Sequence, residues 1–435
     1  MREKECLKVL WLIPSYNMED DEANNVSGPL RRALMDSHGD EICLTLVYQS
    51  DLSRSHERNQ FSAPVSIGNC IYHPVDIPLG KIGMKTAEWK IVKKELLRII
   101  RMYKPDIIQC FGTEWPYGLI AEATPVPVVI HIMGFLNIYY TSLAMVTGRG
   151  GKQDSVSGNV KNALYRCKRL IRNCLLSKPV YSGESLSKRF ELRNMRVNRY
   201  FMGRTNWDKA IVKYYSKDGT YYHVPEVMKE TICRAAGTWN YTKKKKLRLL
   251  TISSADDRKG NEVILRTARL LKELIGMQFE WRVAGEKSFF LAFERYTGID
   301  RESVNVKLIG RIAPKTVVEE LQRADFFIHP SIIDNSPNSI CEAQLVGCPV
   351  LASNVGGIPQ LVEDSVTGFL YPYNEPHTLA FLIDSLRENE DLLTKISRTA
   401  SETAQRRHDS VMIADRLVSV YREIIKNHPE ERCPE

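Results

Sequence analysis

The sequence predicts an α/β protein made of two doubly wound parallel-sheet domains. Three observations carry this. At 435 residues the chain is too long for one compact core. Short apolar runs alternate with amphipathic helical runs in both halves, the pattern of parallel sheets covered on both faces. The pattern breaks near residues 236–246, where Gly237-Thr-Trp-Asn-Tyr-Thr leads into Lys243-Lys-Lys-Lys246, a block of like charge that reads as a solvated linker. The expected division is 1–240 for the first domain, 241–410 for the second, and a terminal stretch at 411–435.

In the first half, strands are predicted at 9–14, 42–48, 107–111, 128–133 and 179–182. A helix is predicted at 86–103, because Trp89, Val92, Leu96, Ile99, Ile100 and Tyr103 recur at helical spacing with Lys93, Lys94, Arg98 and Arg101 on other faces. In the second half, strands are predicted at 247–252, 281–284, 306–309, 326–329 and 349–352. Helices fall between them near 261–274, 314–323, 339–346 and 376–386. The closing amphipathic stretch, 412–425, reads as a helix returning to the first domain.

Composition narrows the class. With 43% hydrophobic and 26% charged residues, 25 Gly and 20 Pro, the chain is neither disordered, collagen-like nor a coiled coil. It contains no run of about 18 apolar residues, so no transmembrane helix is expected. The start has charges of both signs and no apolar core behind it, so no signal peptide is expected and the location is read as cytoplasmic. Ten Cys form no Cys-x-x-Cys pair, which points to buried reduced thiols and to no metal cluster. The net charge of +9 suits an anionic partner without naming it.

The most informative segment runs from Pro330 to Pro359. A buried strand ends in a polar turn that opens a helix near Pro337-Asn338-Ser339, and a helix start offers backbone N–H groups to an anion. Asp334 lies just before that helix and Glu342 one turn inside it, so two carboxylates can line one ligand. Gly347 ends the helix, Pro349 precedes the next strand, and Gly356-Gly357 allows a close backbone approach. A second constellation is Arg258-Lys259-Gly260, which follows a buried strand and opens a helix.

The Pro330–Pro359 segment resembles the donor-site signature of retaining glycosyltransferases of the GT-B fold, family four in particular. That pattern is an acid, seven residues, Glu, Ala, a Gly-x-Pro-Val strand and a Gly-Gly-x-Pro loop. Every part is present, with Asp334 where the family usually has Glu. Lys307-Leu-Ile-Gly310, Val318–Ser331 and Val366-Thr-Gly368-Phe-Leu extend the likeness, so that it covers about 250–390. The resemblance implies two Rossmann-like domains facing a cleft. It places Asp334 near the transferred sugar, Glu342 on the ribose hydroxyls, the amides of Asn338 and Ser339 on the donor, and Lys259 on its diphosphate. Ser254 replaces the family's arginine, and Arg258 either supplies that charge or faces solvent. In the first half, Gly28 resembles the last glycine of the family's donor loop, and His131 sits where the family carries a His close to the donor sugar. A His in an apolar strand is otherwise a satisfied core residue. Glu114 is a further candidate for the acceptor side, and Gly203-Arg-Thr-Asn-Trp-Asp208 either binds an acceptor or holds domains together.

The function expected from these readings is transfer of a sugar from a nucleoside diphosphate sugar to a glycan or lipid-linked acceptor, with retention, in bacterial surface polysaccharide assembly. Asp-x-Asp is absent, so neither metal nor cofactor is expected, and Asp334, His131 and Lys259 form the catalytic group. The basic amphipathic segment 161–178 reads either as a plain surface helix or as a dock for an anionic membrane, which would make the protein peripheral at the inner face. A dinucleotide oxidoreductase lacks its Gly-x-Gly-x-x-Gly after the first strand. A nucleic-acid binder lacks basic and aromatic residues interleaved on one face. The alternative is a degenerate GT-B protein that binds nucleotide sugar without turnover.

Overall fold

The computed structural model describes residues 6–16, 26–49, 63–75, 86–147, 186–243, 245–253 and 257–429. These residues build two units, each with its own sheet. The first gathers described residues of Met1–Phe135, Leu186–Ala236 and Glu402–Glu435; the second holds Gly237–Ser401 together with the helix at Leu136–Thr147.

The first unit has eight strands: β1 (Leu7–Ser15), β2 (Ile42–Gln49), β3 (Val65–Ile67), β4 (Cys70–Val75), β5 (Ile107–Phe111), β6 (Val128–His131), β7 (Tyr200–Gly203) and β8 (Thr220–His223). Their order is β3-β4-β2-β1-β5-β6-β7-β8, parallel except for β3 against β4. β1, β2 and β5 are mostly buried and rich in Ile, Leu and Val, as strands covered on both faces must be. The strand order reverses beside β1, so the loops after β1 and β5 open at the place where α/β sheets take ligands.

The chain's last helix, Ser410–Asn427, packs on the Ser27–His38 helix of this first unit. Asp409 caps it by accepting from the Met412 amide. Ile413, Leu417, Tyr421 and Ile424 recur at helical spacing and are buried with Val9, Trp11 and Phe111. Each such side chain stabilises the fold by about 1.5–3 kcal/mol. The returning helix is therefore part of the first domain's core.

The second unit has six parallel strands: β9 (Leu247–Ile252), β10 (Phe279–Ala284), β11 (Val306–Gly310), β12 (Phe326–His329), β13 (Val350–Ser353) and β14 (Phe369–Tyr371). Their order, β11-β10-β9-β12-β13-β14, is that of a dinucleotide-binding sheet, and it reverses between β9 and β12. The loops after those two strands carry Lys259 and Asp334.

Several expectations are corrected. The strand expected at 128–133 ends at His131. β3, β4, β7 and β8 are absent from the sequence prediction, because they are short or, like Cys70-Ile-Tyr-His-Pro-Val75, contain Pro and polar residues that interrupt the apolar run. The thiols are not all reduced. Cys6 and Cys43 form a disulfide with Cα atoms 5.9 Å apart. The parallel register that pairs Leu7 with Ile42 brings them together, which their spacing of 37 residues does not reveal. Cys70, Cys110, Cys341 and Cys348 are buried and Cys233 is exposed. The strand expected at 179–182, the basic segment 161–178 and Ser254 lie outside the described residues.

Candidate functional site

The reversal point of the second sheet is built from two loops fastened to each other. After β9 the chain makes a short turn at Asp257–Lys259 and enters the Asn261–Glu273 helix through Gly260. Gly260 has φ +68°, and a Cβ there would stand 1.8 Å from the Pro330 carbonyl oxygen, so only glycine fits. The Ile332 amide donates to the Arg258 carbonyl at 2.7 Å and closes the seam.

That seam sets Lys259 against Asp334. Lys259 Nζ lies 2.5 Å from Asp334 Oδ2, with side chains 14% and 11% exposed. His329 Nε2 lies 3.2 Å from the same oxygen and Ser331 Oγ 2.9 Å from His329 Nε2, while the Asn335 amide donates to Asp334 Oδ1 at 3.0 Å. The Gly357 amide donates to the Asp334 carbonyl at 3.0 Å. Burial alone raises the Asp334 carboxyl, but Lys259 and His329 outweigh it and hold Asp334 well below the usual carboxylate range. Burial pushes His329 down. Asp334 is thus a fixed anion at neutral pH, able to accept hydrogen bonds and to hold a cation, and unsuited to giving up a proton.

Asn338 and Ser339 open the Asn338–Val346 helix, which has no side-chain cap and no acidic residue in its first turn. That leaves the positive end of the helix dipole uncompensated by the helix's own carboxylates. Glu342 lies one turn in and is buried. Arg258 stacks its guanidinium over the Tyr139 ring, 4.0 Å from the centroid. The structure therefore brings Lys259, Asp334, Asn338, Ser339 and Glu342 onto two adjoining loops and one helix. It adds His329 and Ser331, which the motif reading passed over. The available signal was a His closing a buried strand immediately before Pro330-Ser331.

The first unit holds the other candidates. Gly28 is buried in the first turn of the Ser27–His38 helix. His131 ends β6, with its ring on Phe111 at 5.1 Å and Gln109 Nε2 3.1 Å from its Nδ1. Burial pushes His131 down to about 3, with Arg204 adding to the effect. Glu114 follows β5, and burial, with Glu191 adding, pushes its carboxyl up to about 7. The Gly203–Asp208 stretch is a fastening within the first unit. Thr205 and Asp208 form a capping box on the Asn206–Tyr215 helix, and buried Arg204 pairs with Glu226 and donates to the Met133 carbonyl at 3.1 Å.

Residues 239–403 match the family of glycosyl transferases group 1. The amylovoran biosynthesis glycosyltransferase AmsK of Erwinia amylovora is 32% identical over 153 residues, covering 33% of this chain and 37% of that protein. The putative colanic acid biosynthesis glycosyltransferase WcaL of Escherichia coli is 28% identical over 185 residues, 40% of this chain and 44% of that one. The chain thus spans less than half the length of these curated relatives. Among solved structures, a sucrose-phosphate synthase from Thermosynechococcus elongatus superposes with TM-score 0.69 at 14% identity, over 97% of this chain and 99% of that one. Anabaena Alr3699/HepE in complex with UDP-glucose superposes with TM-score 0.62 at 14% identity, over 96% and 100%. These likenesses and the strand order give the fold: two Rossmann-like parallel-sheet domains of the GT-B type.

Proposed function

We propose that the protein is a glycosyltransferase that moves a sugar from a nucleoside diphosphate sugar to a saccharide or lipid-linked saccharide, with retention, in the assembly of a bacterial surface polysaccharide. The observation that carries the reading is the Lys259–Asp334 pair at the strand reversal of a domain matching glycosyl transferases group 1. The names of the relatives from Erwinia amylovora and Escherichia coli support the polysaccharide context.

In this reading Lys259 neutralises the departing diphosphate together with the amides opening the Asn338–Val346 helix, in place of a metal. Donor phosphate competes with Asp334 for the Lys259 ammonium, and the released carboxylate accepts from the sugar. Glu342 accepts from the ribose hydroxyls. The acceptor attacks the face that the diphosphate leaves, with the leaving phosphate as base. His131 serves the sugar from the first domain. The site of action is the inner face of the membrane, reached by peripheral association; among the described residues no helix is long and apolar enough to cross a membrane.

A panel of UDP-, GDP- and ADP-sugars read by thermal shift identifies the donor, since a specific ligand stabilises the fold with the logarithm of its concentration. NMR of the product anomer then tests retention, and an inverted anomeric centre defeats it. The second reading, a protein that binds nucleotide sugar without turnover, draws on the same ion pair, because Asp334 already occupies Lys259. Sugar release or transfer that disappears in Lys259→Ala rules it out.

A further inference from the structure

The two faces of the first sheet carry very different charge. The chain crosses the sheet one way from β1 to β2, and the other way from β4 to β5 and on through β6, β7 and β8. Right-handed crossovers therefore set the Ser27–His38 helix on one face and the Thr86–Tyr103, Leu186–Val197 and Asn206–Tyr215 helices on the other. The packing agrees. The last helix lies on Ser27–His38, while the short helical turn at Pro116–Glu122 joins Thr86–Tyr103 to Leu186–Val197, which packs on Asn206–Tyr215. On the first face the exposed charges of the Ser27–His38 and Ser410–Asn427 helices balance. Asp36, Asp415 and Glu423 stand against Arg416, Arg422 and Lys426.

The three helices of the other face expose no acid among the described residues. Each shows a cationic stripe at helical spacing. On Thr86–Tyr103 it is Lys90, Lys94, Arg98 and Arg101, with Ile91 and Met102 at its two ends, 64% and 52% exposed. On Leu186–Val197 it is Arg189, Arg193 and Arg196. On Asn206–Tyr215 it is Lys209 and Lys213 beside Tyr214, which is 81% exposed. Arg98 pairs with Glu95 at 2.5 Å and Arg193 with Glu122 at 2.6 Å. Lys94, Arg101, Arg196 and Lys213 form no ion pair among the described residues. Like charges side by side repel, so a face of this kind is kept at a cost to the fold, and an anionic partner removes that cost.

We propose that this face of the first domain is a membrane dock, and that its occupant is a bilayer rich in anionic phospholipid. The dock rests on the peripheral-membrane part of the reading above and gives it a surface; it is independent of the donor. Each cation near an anionic leaflet strengthens binding about fivefold, and helices side by side on a sheet present their cations to one extended surface. Ile91, Met102 and Tyr214 favour a bilayer over a nucleic acid. A phosphate backbone rewards cations, whereas the headgroup boundary also takes in aliphatic side chains and tyrosine rings. Val92, Leu96 and Ile99, the apolar side of Thr86–Tyr103, are buried in the domain. The helix therefore stays in the fold, and only its exposed tips enter the boundary.

The test is sedimentation of the full-length protein with vesicles of phosphatidylcholine, alone or mixed with phosphatidylglycerol. Binding is expected only with phosphatidylglycerol present, and it is expected to weaken as salt rises. Lys94→Gln, Arg196→Gln and Lys213→Gln together, one on each helix, are expected to lose about a hundredfold in affinity. Arg416→Gln, Arg422→Gln and Lys426→Gln together remove the same charge from the other face and are expected to bind as the wild type does. If the first triple variant fails to fold, its three single variants decide, each with an expected loss of about fivefold. Equal loss in the two triple variants, or wild-type binding by the first, overturns the dock. So does a wild type that ignores anionic vesicles, or that binds a short DNA duplex more tightly than those vesicles at the same salt. The nucleotide-sugar thermal shift is read on the same wild-type protein. Vesicle binding with no response to any nucleotide sugar overturns the donor reading and keeps the dock; a response without vesicle binding does the reverse.

Discussion

Lys259 Nζ lies 2.5 Å from Asp334 Oδ2, a contact that joins the loops after β9 and β12 across 75 residues of sequence. Both side chains are largely removed from water, so each charge relies on the other. Breaking a buried pair from one side costs about 3–5 kcal/mol, because the remaining ion is left uncompensated. Asp334→Asn is expected to lower stability by about 2–4 kcal/mol in urea unfolding, less than the full range because some water reaches the pair. A loss below about 0.5 kcal/mol would show that the pair is not held as described.

Donor binding divides the same residues differently. Lys259→Ala and Glu342→Ala are each expected to abolish the thermal stabilisation given by the best nucleotide sugar. Asp334→Asn is expected to keep binding of the bare nucleotide, since it frees Lys259 for phosphate. Full ligand stabilisation in both alanine variants would remove these residues from the site.

Gly260 and Gly298 make a matched pair for the backbone. Both have φ +68°, but a Cβ at Gly260 meets the Pro330 carbonyl at 1.8 Å and one at Gly298 meets nothing within 4 Å. Gly298→Ala is expected to cost about 1 kcal/mol, the conformational term alone. Gly260→Ala is expected to cost at least about 2 kcal/mol more and to weaken nucleotide binding, because the seam holding Lys259 must open. Equal melting temperatures for the two variants would refute the seam.

Glu114 predicts a pH dependence. Its folded pKa of about 7 lies above the ordinary value of 4.5, so ionising it costs folding energy. The cost is absent below about pH 4.5, grows as pH rises, and is complete above about pH 7, where it amounts to at most about 3 kcal/mol. Glu114→Gln is expected to raise the melting temperature at pH 8 and to leave it unchanged at pH 4. Stabilisation of the same size at both pH values would place the effect elsewhere.

Much of the second domain was legible in the sequence. Its central strands Phe326–His329 and Val350–Ser353 are buried throughout, its helices are amphipathic, and Asp334, Glu342, Gly347 and Gly356 punctuate the chain where helix starts, helix ends and close backbone approaches occur. The first domain was less legible. Strands such as Tyr200–Gly203 and Thr220–His223 are only four residues long, too short for an alternating pattern to stand out. The Gly203–Asp208 stretch reads either as an acceptor contact or as a tie between domains, because a buried Arg204–Glu226 pair and a capping box involve partners that spacing alone does not reveal.

The sequence by itself determined the α/β class, the division into two sheet-forming halves and the two carboxylates that flank the start of the Asn338–Val346 helix. These follow from periodicity and local backbone chemistry, which act over a few residues. Tertiary structure decided what lies far apart in the chain. It joined Cys6 to Cys43, set Lys259 and His329 on Asp334 so that the carboxyl stays ionised, and placed Tyr421 where its hydroxyl orients Gln109. Hydrogen bonds and ion pairs depend on distances of about 3 Å, and strand order and register, not sequence spacing, set those distances.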